Sequence, residues 1–221
     1  MQKNKNIKII FDSPVALTLV LCCLILFIFC KIMPQNVNEK ILAFFSTPII
    51  KQNGKVINFF NFSPYLKLFL HIFAHANFFS LFLNLSIILL LAPQIENLYG
   101  SRLFFLMILI ASLVSGVLAF CFVPFSLQGT QSVCFLLIVL YVFNSIKKHA
   151  LPLSAIILLI LFVIFSITAG YGGLAQIVNI LGGFCSSLFG IIPKETGNSK
   201  KSKVSSIKMN KFEKNEKGEK N

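Results

Sequence analysis

Long apolar stretches alternate along this chain with short polar breaks, and the length of the stretches sets the architecture. A helical residue rises about 1.5 Å and the hydrocarbon core of a bilayer is about 30 Å thick, so a spanning helix needs about 20 mostly apolar residues. Six stretches fit that requirement: residues 15–33, 77–99, 102–122, 129–146, 151–169 and 174–192. Asp12 and Ser13 are suited to cap the first helix, and Pro14 suits its first turn, where a missing N–H costs nothing. Between the first two spans runs a long connection, residues 34–76, broken by Pro34, Pro48, Gly54 and Pro64 yet still apolar in ILAFF and INFFNF. That mixture predicts short helices lying in the membrane interface. From residue 193 to 221 Lys, Glu, Asn and Ser dominate, and such a tail buries too little apolar surface to fold. The expected fold class is all-α: a polytopic membrane protein with a short N-terminal segment (1–14), a six-helix transmembrane domain (15–192) and a disordered Lys-rich tail (193–221).

Composition agrees with the pattern, at 56% hydrophobic and 12% charged residues with a mean hydropathy of +0.83. A net charge of +13 in a soluble protein would suggest a nucleic-acid partner. Here the Lys and Arg residues lie in tails and loops, so topology accounts for them and no nucleic acid is implied. Residues 1–13, the turn with Arg102, the turn with Lys147 and Lys148, and the tail fall on one side, while the short loops VPFSLQ and AGYGG on the other carry no charge. The positive-inside rule then predicts a protein of the cell membrane with both termini cytoplasmic. The basic start resembles a signal peptide, but residues 15–33 are long enough to span and no Ala-x-Ala follows, so a retained first helix is expected. Cys22, Cys23, Cys30, Cys121, Cys134 and Cys185 sit in or beside apolar runs without metal-site spacing, and they read as small hydrophobes. No cofactor and no metal is implied.

Polar groups gather at the ends of the second span: His71, His75, Ser80, Asn84 and Glu96, followed by Gly100 and Arg102. Polar side chains at membrane depth are costly and need a partner or a function. The segment HIFAHANFFSLFLNLSIILLLAPQIENLYGSR resembles the signature of the rhomboid family of intramembrane serine proteases. His71 and His75 match its first histidine pair, Asn84 its asparagine, and Glu96 with Gly100 its last pair. Ser80 stands where the family usually has a histidine. The likeness runs in order through the second, fourth and sixth spans, over about residues 60 to 190.

In rhomboid proteases the fourth helix opens with Gly-x-Ser-Gly, whose serine attacks the scissile carbonyl, and the sixth carries His-x-x-Gly, whose histidine is the base. Laid on GTQSVCF without a gap, Gly129 matches the first glycine, Gln131 takes the serine position and Ser132 the second glycine. In the sixth helix Asn179 stands three residues before Gly182, where the histidine belongs. The resemblance therefore implies a rhomboid scaffold whose degenerate active-site positions are Gln131, Asn179, Ser80 and Asn84. Amides are neither usable bases nor nucleophiles, although two can hydrogen-bond across helices. A serine needs a base within reach. His71 and His75 belong by sequence to the outer end of the first loop and His149 to the opposite side, so none is expected to meet Ser132. A shifted nucleophile at Ser132 remains the alternative, although one helical position is a rotation of about 100°.

The remaining polar positions have structural readings. His71 and His75 read as hydrogen-bonders rather than metal ligands, and Glu96 as fixing the inner ends of the second and third helices through Arg102 or through backbone N–H groups. Gly182, Ser186 and Gly190 follow small-x-x-x-small spacing, which in the family brings the sixth helix against the fourth. The family likeness implies a membrane-embedded binder of transmembrane segments of client proteins, as derlins and inactive rhomboids are, with the lipid bilayer as its other partner. The alternative is an active intramembrane serine endopeptidase using Ser132. A small-molecule carrier has less support, since no inverted repeat or broken-helix pattern is evident.

Overall fold

The computed structural model describes residues 13–49, 51–52, 55–56, 62–147, 149, 152–168 and 172–191. Contacts divide the chain into residues 1–191 and 192–221, and the second unit, with the tail expected to be disordered, lies outside the described residues, as does Asp12. In chain order the elements are α1 (Pro14–Ile32), α2 (Gln35–Phe44), β1 (Lys51–Gln52), β2 (Lys55–Val56), α3 (Ser63–Leu70), α4 (Phe78–Tyr99), α5 (Ser101–Phe122), α6 (Gln131–Lys147), α7 (Leu153–Thr168) and α8 (Gly172–Ile191). The six expected spans correspond to α1, α4, α5, α6, α7 and α8. The long connection supplies α2 and α3, and between them a minimal antiparallel hairpin pairs Lys51 with Val56 and Gln52 with Lys55.

By length and composition, α1, α4, α5 and residues 173–190 of α8 suffice to cross a membrane, whereas α6 and α7 are shorter apolar helices. The 17 residues of α6 cover about 26 Å, near the lower limit for a span. This helix packs against α4, α5, α7 and α8, and Val133, Cys134, Leu136, Leu137, Ile138 and Leu140 are all fully buried. It is the central post of the bundle. Around it, Ile25, Ile28 and Ile32 of α1, Leu90 of α4, and Leu161 and Ile164 of α7 point outward. In water so much exposed aliphatic surface would drive association; in a bilayer it is the required outer face.

Glu96 corrects two expectations. Its carboxylate is buried, and its oxygens accept hydrogen bonds from the backbone N–H groups of Val15 (3.0 Å) and Ala16 (3.1 Å). It caps α1 from the far end of α4, about 80 residues away in sequence. Pro14 does occupy the first turn, but the Ser13 side chain makes no cap hydrogen bond. Nor does Glu96 pair with Arg102, which is exposed on the first turn of α5. A carboxylate at a helix start satisfies free N–H donors and complements the helix dipole, so the charge can be buried without a cation. Between α4 and α5 the chain reverses through Gly100 alone, at φ +82°, a conformation that favours glycine.

Glycines set how closely the helices approach. A Cβ on Gly116 of α5 would lie 2.6 Å from the Leu68 carbonyl oxygen of α3. On α8, a Cβ on Gly182 would sit 2.8 Å from Ser115 Cβ of α5, and one on Gly183 would sit 2.6 Å from the Ser132 carbonyl oxygen of α6. The small-residue positions therefore serve two neighbouring helices. Gly182 seats α8 on α5, and Gly183 brings it against α6. Ser186 is buried and donates to the Gly183 carbonyl at 2.9 Å, and Gly190 lies against Leu140, Met107 and Tyr99.

Glu96→Ala is expected to lower stability by about 3 kcal/mol, the scale of a lost charged hydrogen bond, and Glu96→Gln by less because an acceptor remains. Thermal unfolding in detergent, followed by far-UV circular dichroism, checks this; equal melting temperatures for wild type and Glu96→Ala would show that the cap is dispensable.

Candidate functional site

The polar residues of the second span meet those of the fourth and sixth at one end of the bundle. The connection from α3 to α4 is short because α3 is tied down: Ser112 Oγ of α5 donates to the carbonyls of Phe69 (2.9 Å) and Leu68 (3.2 Å). That anchor holds the segment that follows α3, in which His71 and His75 are both almost fully buried. Asn77 then caps α4, accepting from the Ser80 N–H at 2.7 Å. Ser80 and Asn84 follow one turn apart on the buried face, with Asn84 Nδ2 at 3.5 Å from Ser80 Oγ.

Loop 123–130, which leads into α6, is held from two sides. Thr47 N–H donates to the Leu127 carbonyl (3.0 Å), the Leu127 N–H donates to Thr47 Oγ1 (2.7 Å), and Gln128 Nε2 donates to Ser46 Oγ (2.7 Å). On the other side the Gly129 N–H donates to the His71 carbonyl at 2.9 Å. Gly129 adopts φ +112°, and a Cβ there would come within 3.8 Å of His75 and of Asn84 Nδ2. The turn delivers Thr130, Gln131 and Ser132 into the bundle in three different directions.

Each of the three has its own partner. Thr130 Oγ1 lies 3.3 Å from His75 Nε2. Gln131 Oε1 accepts from Asn179 Nδ2 of α8 at 2.8 Å, and both residues are buried. Ser132, fully buried, has its Oγ 3.3 Å from Ser115 Oγ of α5. Gln131 keeps one unmet requirement: its Nε2 is buried and has no hydrogen-bond partner among the described residues. Asn84 sits beside this group, its Oδ1 3.7 Å and its carbonyl 3.5 Å from Cys134 Sγ.

The two histidines share one tautomer. His71 Nδ1 is 3.0 Å from the Leu68 carbonyl and His75 Nδ1 is 3.4 Å from the Phe73 carbonyl. A carbonyl can only accept, so the proton is on Nδ1 in each ring and Nε2 is an acceptor. Burial pushes both rings down to about 4, which keeps them neutral. Ser115 Oγ stands among three partners: it donates to the Ser112 carbonyl (3.1 Å) and towards Ser132 Oγ (3.3 Å), and it lies 3.3 Å from His71 Nε2. His71 lies beyond Ser115, and among the described residues no hydrogen bond joins a histidine to the Ser132 hydroxyl. The ring nitrogens of both histidines are occupied by protein groups on different elements, the arrangement of structural hydrogen-bonders. Neither Ser115 nor Thr130 is among the residues singled out from the sequence, although Ser112 and Ser115, one turn apart in an otherwise apolar span, are the signal that marks α5 as their neighbour. His149, on the far side of α6, is exposed at φ +53°.

A rhomboid domain family model matches residues 63–194, more than half of the chain. The chain belongs to the rhomboid family. A search of curated proteins returns no match. In this rhomboid the matched region runs from the first residue of α3 through α8, so it contains the whole polar site, while α1 and α2 precede it. Family and apolar helices together make it a multi-pass membrane protein in contact with the lipid bilayer. An open apolar cleft of about 320 Å³ separates α4 from α7 and is lined by Phe82, Ser86, Leu90, Leu158 and Phe162. Phe79 and Phe165 meet edge to face across it at 5.3 Å.

Acid should loosen this site. The unfolded chain takes up protons at His71 and His75 below about pH 6.5, whereas the folded protein refuses them until about pH 4, so stability falls as pH drops through that window. Melting temperatures measured between pH 7 and 5 should decline, and the decline should be shallower in a His71→Asn/His75→Asn double variant. Parallel slopes would show that the rings are protonated in the folded protein.

Proposed function

We propose that this rhomboid is proteolytically inactive and binds transmembrane segments of other membrane proteins. The observation that carries the reading is the hydrogen bond between Gln131 and Asn179, which stand where the family resemblance locates nucleophile and base. Acyl transfer needs a nucleophile whose proton a base can take, and a carboxamide pair offers neither. What the pair offers is recognition. The spare N–H donors of Gln131 Nε2 suit a backbone carbonyl released where a client helix frays, since an unpaired carbonyl at membrane depth costs several kcal/mol. The cleft between α4 and α7 supports the same reading, for it is lined by side chains suited to an apolar helix. Lysine placement in loops and tails supports cytoplasmic termini, with the site towards the outer face.

The rival is a serine endopeptidase acting through Ser132, and one observation favours it: Ser115 Oγ stands 3.3 Å from both Ser132 Oγ and His71 Nε2. Against it, Ser132 is fully buried, with its hydroxyl turned to α5 and its backbone under Gly183. A substrate carbonyl needs a place about 3 Å from the attacking oxygen.

Purified protein incubated with a fluorophosphonate probe and with a rhomboid-cleavable transmembrane substrate should give neither labelling nor cleavage. Labelling that vanishes in both Ser132→Ala and His71→Asn would establish the rival. A photo-crosslinking amino acid at Phe82, on the cleft, should capture discrete membrane proteins and not lipid alone; lipid alone would end the client reading. The double variant Gln131→Ser/Asn179→His is expected to recover measurable probe labelling, because the two side chains already meet.

A further inference from the structure

A second apolar groove lies on the opposite flank of the bundle, where α1, α3 and α5 fail to close on one another. Its volume is about 390 Å³, and Leu19 and Cys22 of α1, Leu70 and Phe73 after α3, and Phe105 and Leu109 of α5 line it. A neighbouring hollow of about 380 Å³ shares Cys22, Leu70 and Phe73 and continues along α1 towards Phe29 and Phe45. The lining is almost wholly apolar, so the groove needs an apolar occupant.

Two features identify which occupant. The first is length. The α3 end of the groove is fixed by Ser112, which binds the Leu68 and Phe69 carbonyls, and the other end opens at the start of α5. Along α1 the lining runs from Pro14 to Cys22, about 12 Å of helix against the roughly 30 Å hydrocarbon thickness. The groove is therefore about one leaflet deep. The second is charge. Arg102 lies one turn before Phe105, on the same helix face, and is exposed. Its nearest acidic residue in sequence, Glu96, gives its carboxylate oxygens to the Val15 and Ala16 amides of α1. The guanidinium at the mouth is left with no carboxylate partner among the described residues, and its planar fork suits a phosphate.

We propose that this groove holds one molecule of an anionic phospholipid, an acyl chain lying between α1, α3 and α5 and the headgroup phosphate on Arg102. The site is separate from the Gln131–Asn179 pair and does not depend on the client-binding reading.

The test is native mass spectrometry of the full chain in detergent after exposure to equimolar phosphatidylglycerol and phosphatidylcholine of identical chains. Wild type should retain one phosphatidylglycerol, preferred about fivefold, the factor that a single cation near an anionic surface supplies. Arg102→Gln should retain lipid but with the preference reduced to near parity. Cys22→Trp, which places a ring in the groove from an exposed position, should lose the retained lipid while keeping its circular dichroism spectrum. Absence of a one-to-one lipid in wild type, equal retention of the two lipids, or an unchanged preference in Arg102→Gln would each overturn the proposal.

Discussion

The polar site exists because α8 lies directly on the backbone of α6. At Gly183 there is no room for a Cβ, since the Ser132 carbonyl would be 2.6 Å away, and this contact fixes both the depth and the rotation of α8. Asn179 is one turn before Gly183 on the same face, so seating the glycine on Ser132 brings the Asn179 amide to Gln131, the residue beside it. Gly182, turned by one position, presses on Ser115 of α5. Two adjacent glycines thus hold three helices at backbone distance. Close packing of this kind is the main attraction available between helices that have no water to exclude.

The same packing divides the polar groups into two sets. Ser132, Ser115 and His71 form a hydroxyl and imidazole chain between α6, α5 and the end of α3, dry and closed on itself. Gln131 and Asn179 form an amide pair between α6 and α8 that keeps one donor unspent at Gln131 Nε2. The division follows from helix geometry, because consecutive positions at the start of α6 point about 100° apart. A satisfied chain stabilises; an unsatisfied donor at this depth is costly unless something binds it. The first set therefore reads as structure and the second as a place for a ligand.

The fold was readable from the chain because spans are set by length and apolarity, which survive without knowledge of tertiary packing. The starts and ends of α1, α4, α5 and α8 fall within two residues of expectation. The amide pair was equally accessible, since a gapless register placed Gln131 and Asn179 opposite one another. What sequence could not show was which neighbour each polar group chooses. Glu96 has two readings in the sequence, Arg102 or backbone N–H groups of the second and third helices; it does take backbone N–H groups, but those of α1, because burial of a carboxylate favours two fixed N–H donors over a solvated cation. The Ser112 anchor on α3, and with it the burial of both histidines at their end of the loop, is equally hidden in the chain. Ser115 and Gly183 went unremarked because a small residue in an apolar helix becomes informative only when its facing helix is known.

The proposed loss of proteolysis does not rest on the amide pair alone. His71 is separated from Ser132 by Ser115, whose Oγ is 3.3 Å from each, so no imidazole touches the Ser132 hydroxyl. The decisive quantity is access. Attack on a carbonyl requires the hydroxyl to face an open volume, and Ser132 faces Ser115 with Gly183 pressed over its backbone. To turn the hydroxyl towards Asn179, α6 would have to rotate by about a quarter turn, withdrawing Gln131 from α8 and forcing the fully buried Val133 and Leu136 out of their packing. Two leucine-sized side chains displaced from a core cost several kcal/mol, more than the cross-helix hydrogen bonds of this site can return. The bundle that positions the amide pair is thus the same structure that keeps Ser132 closed.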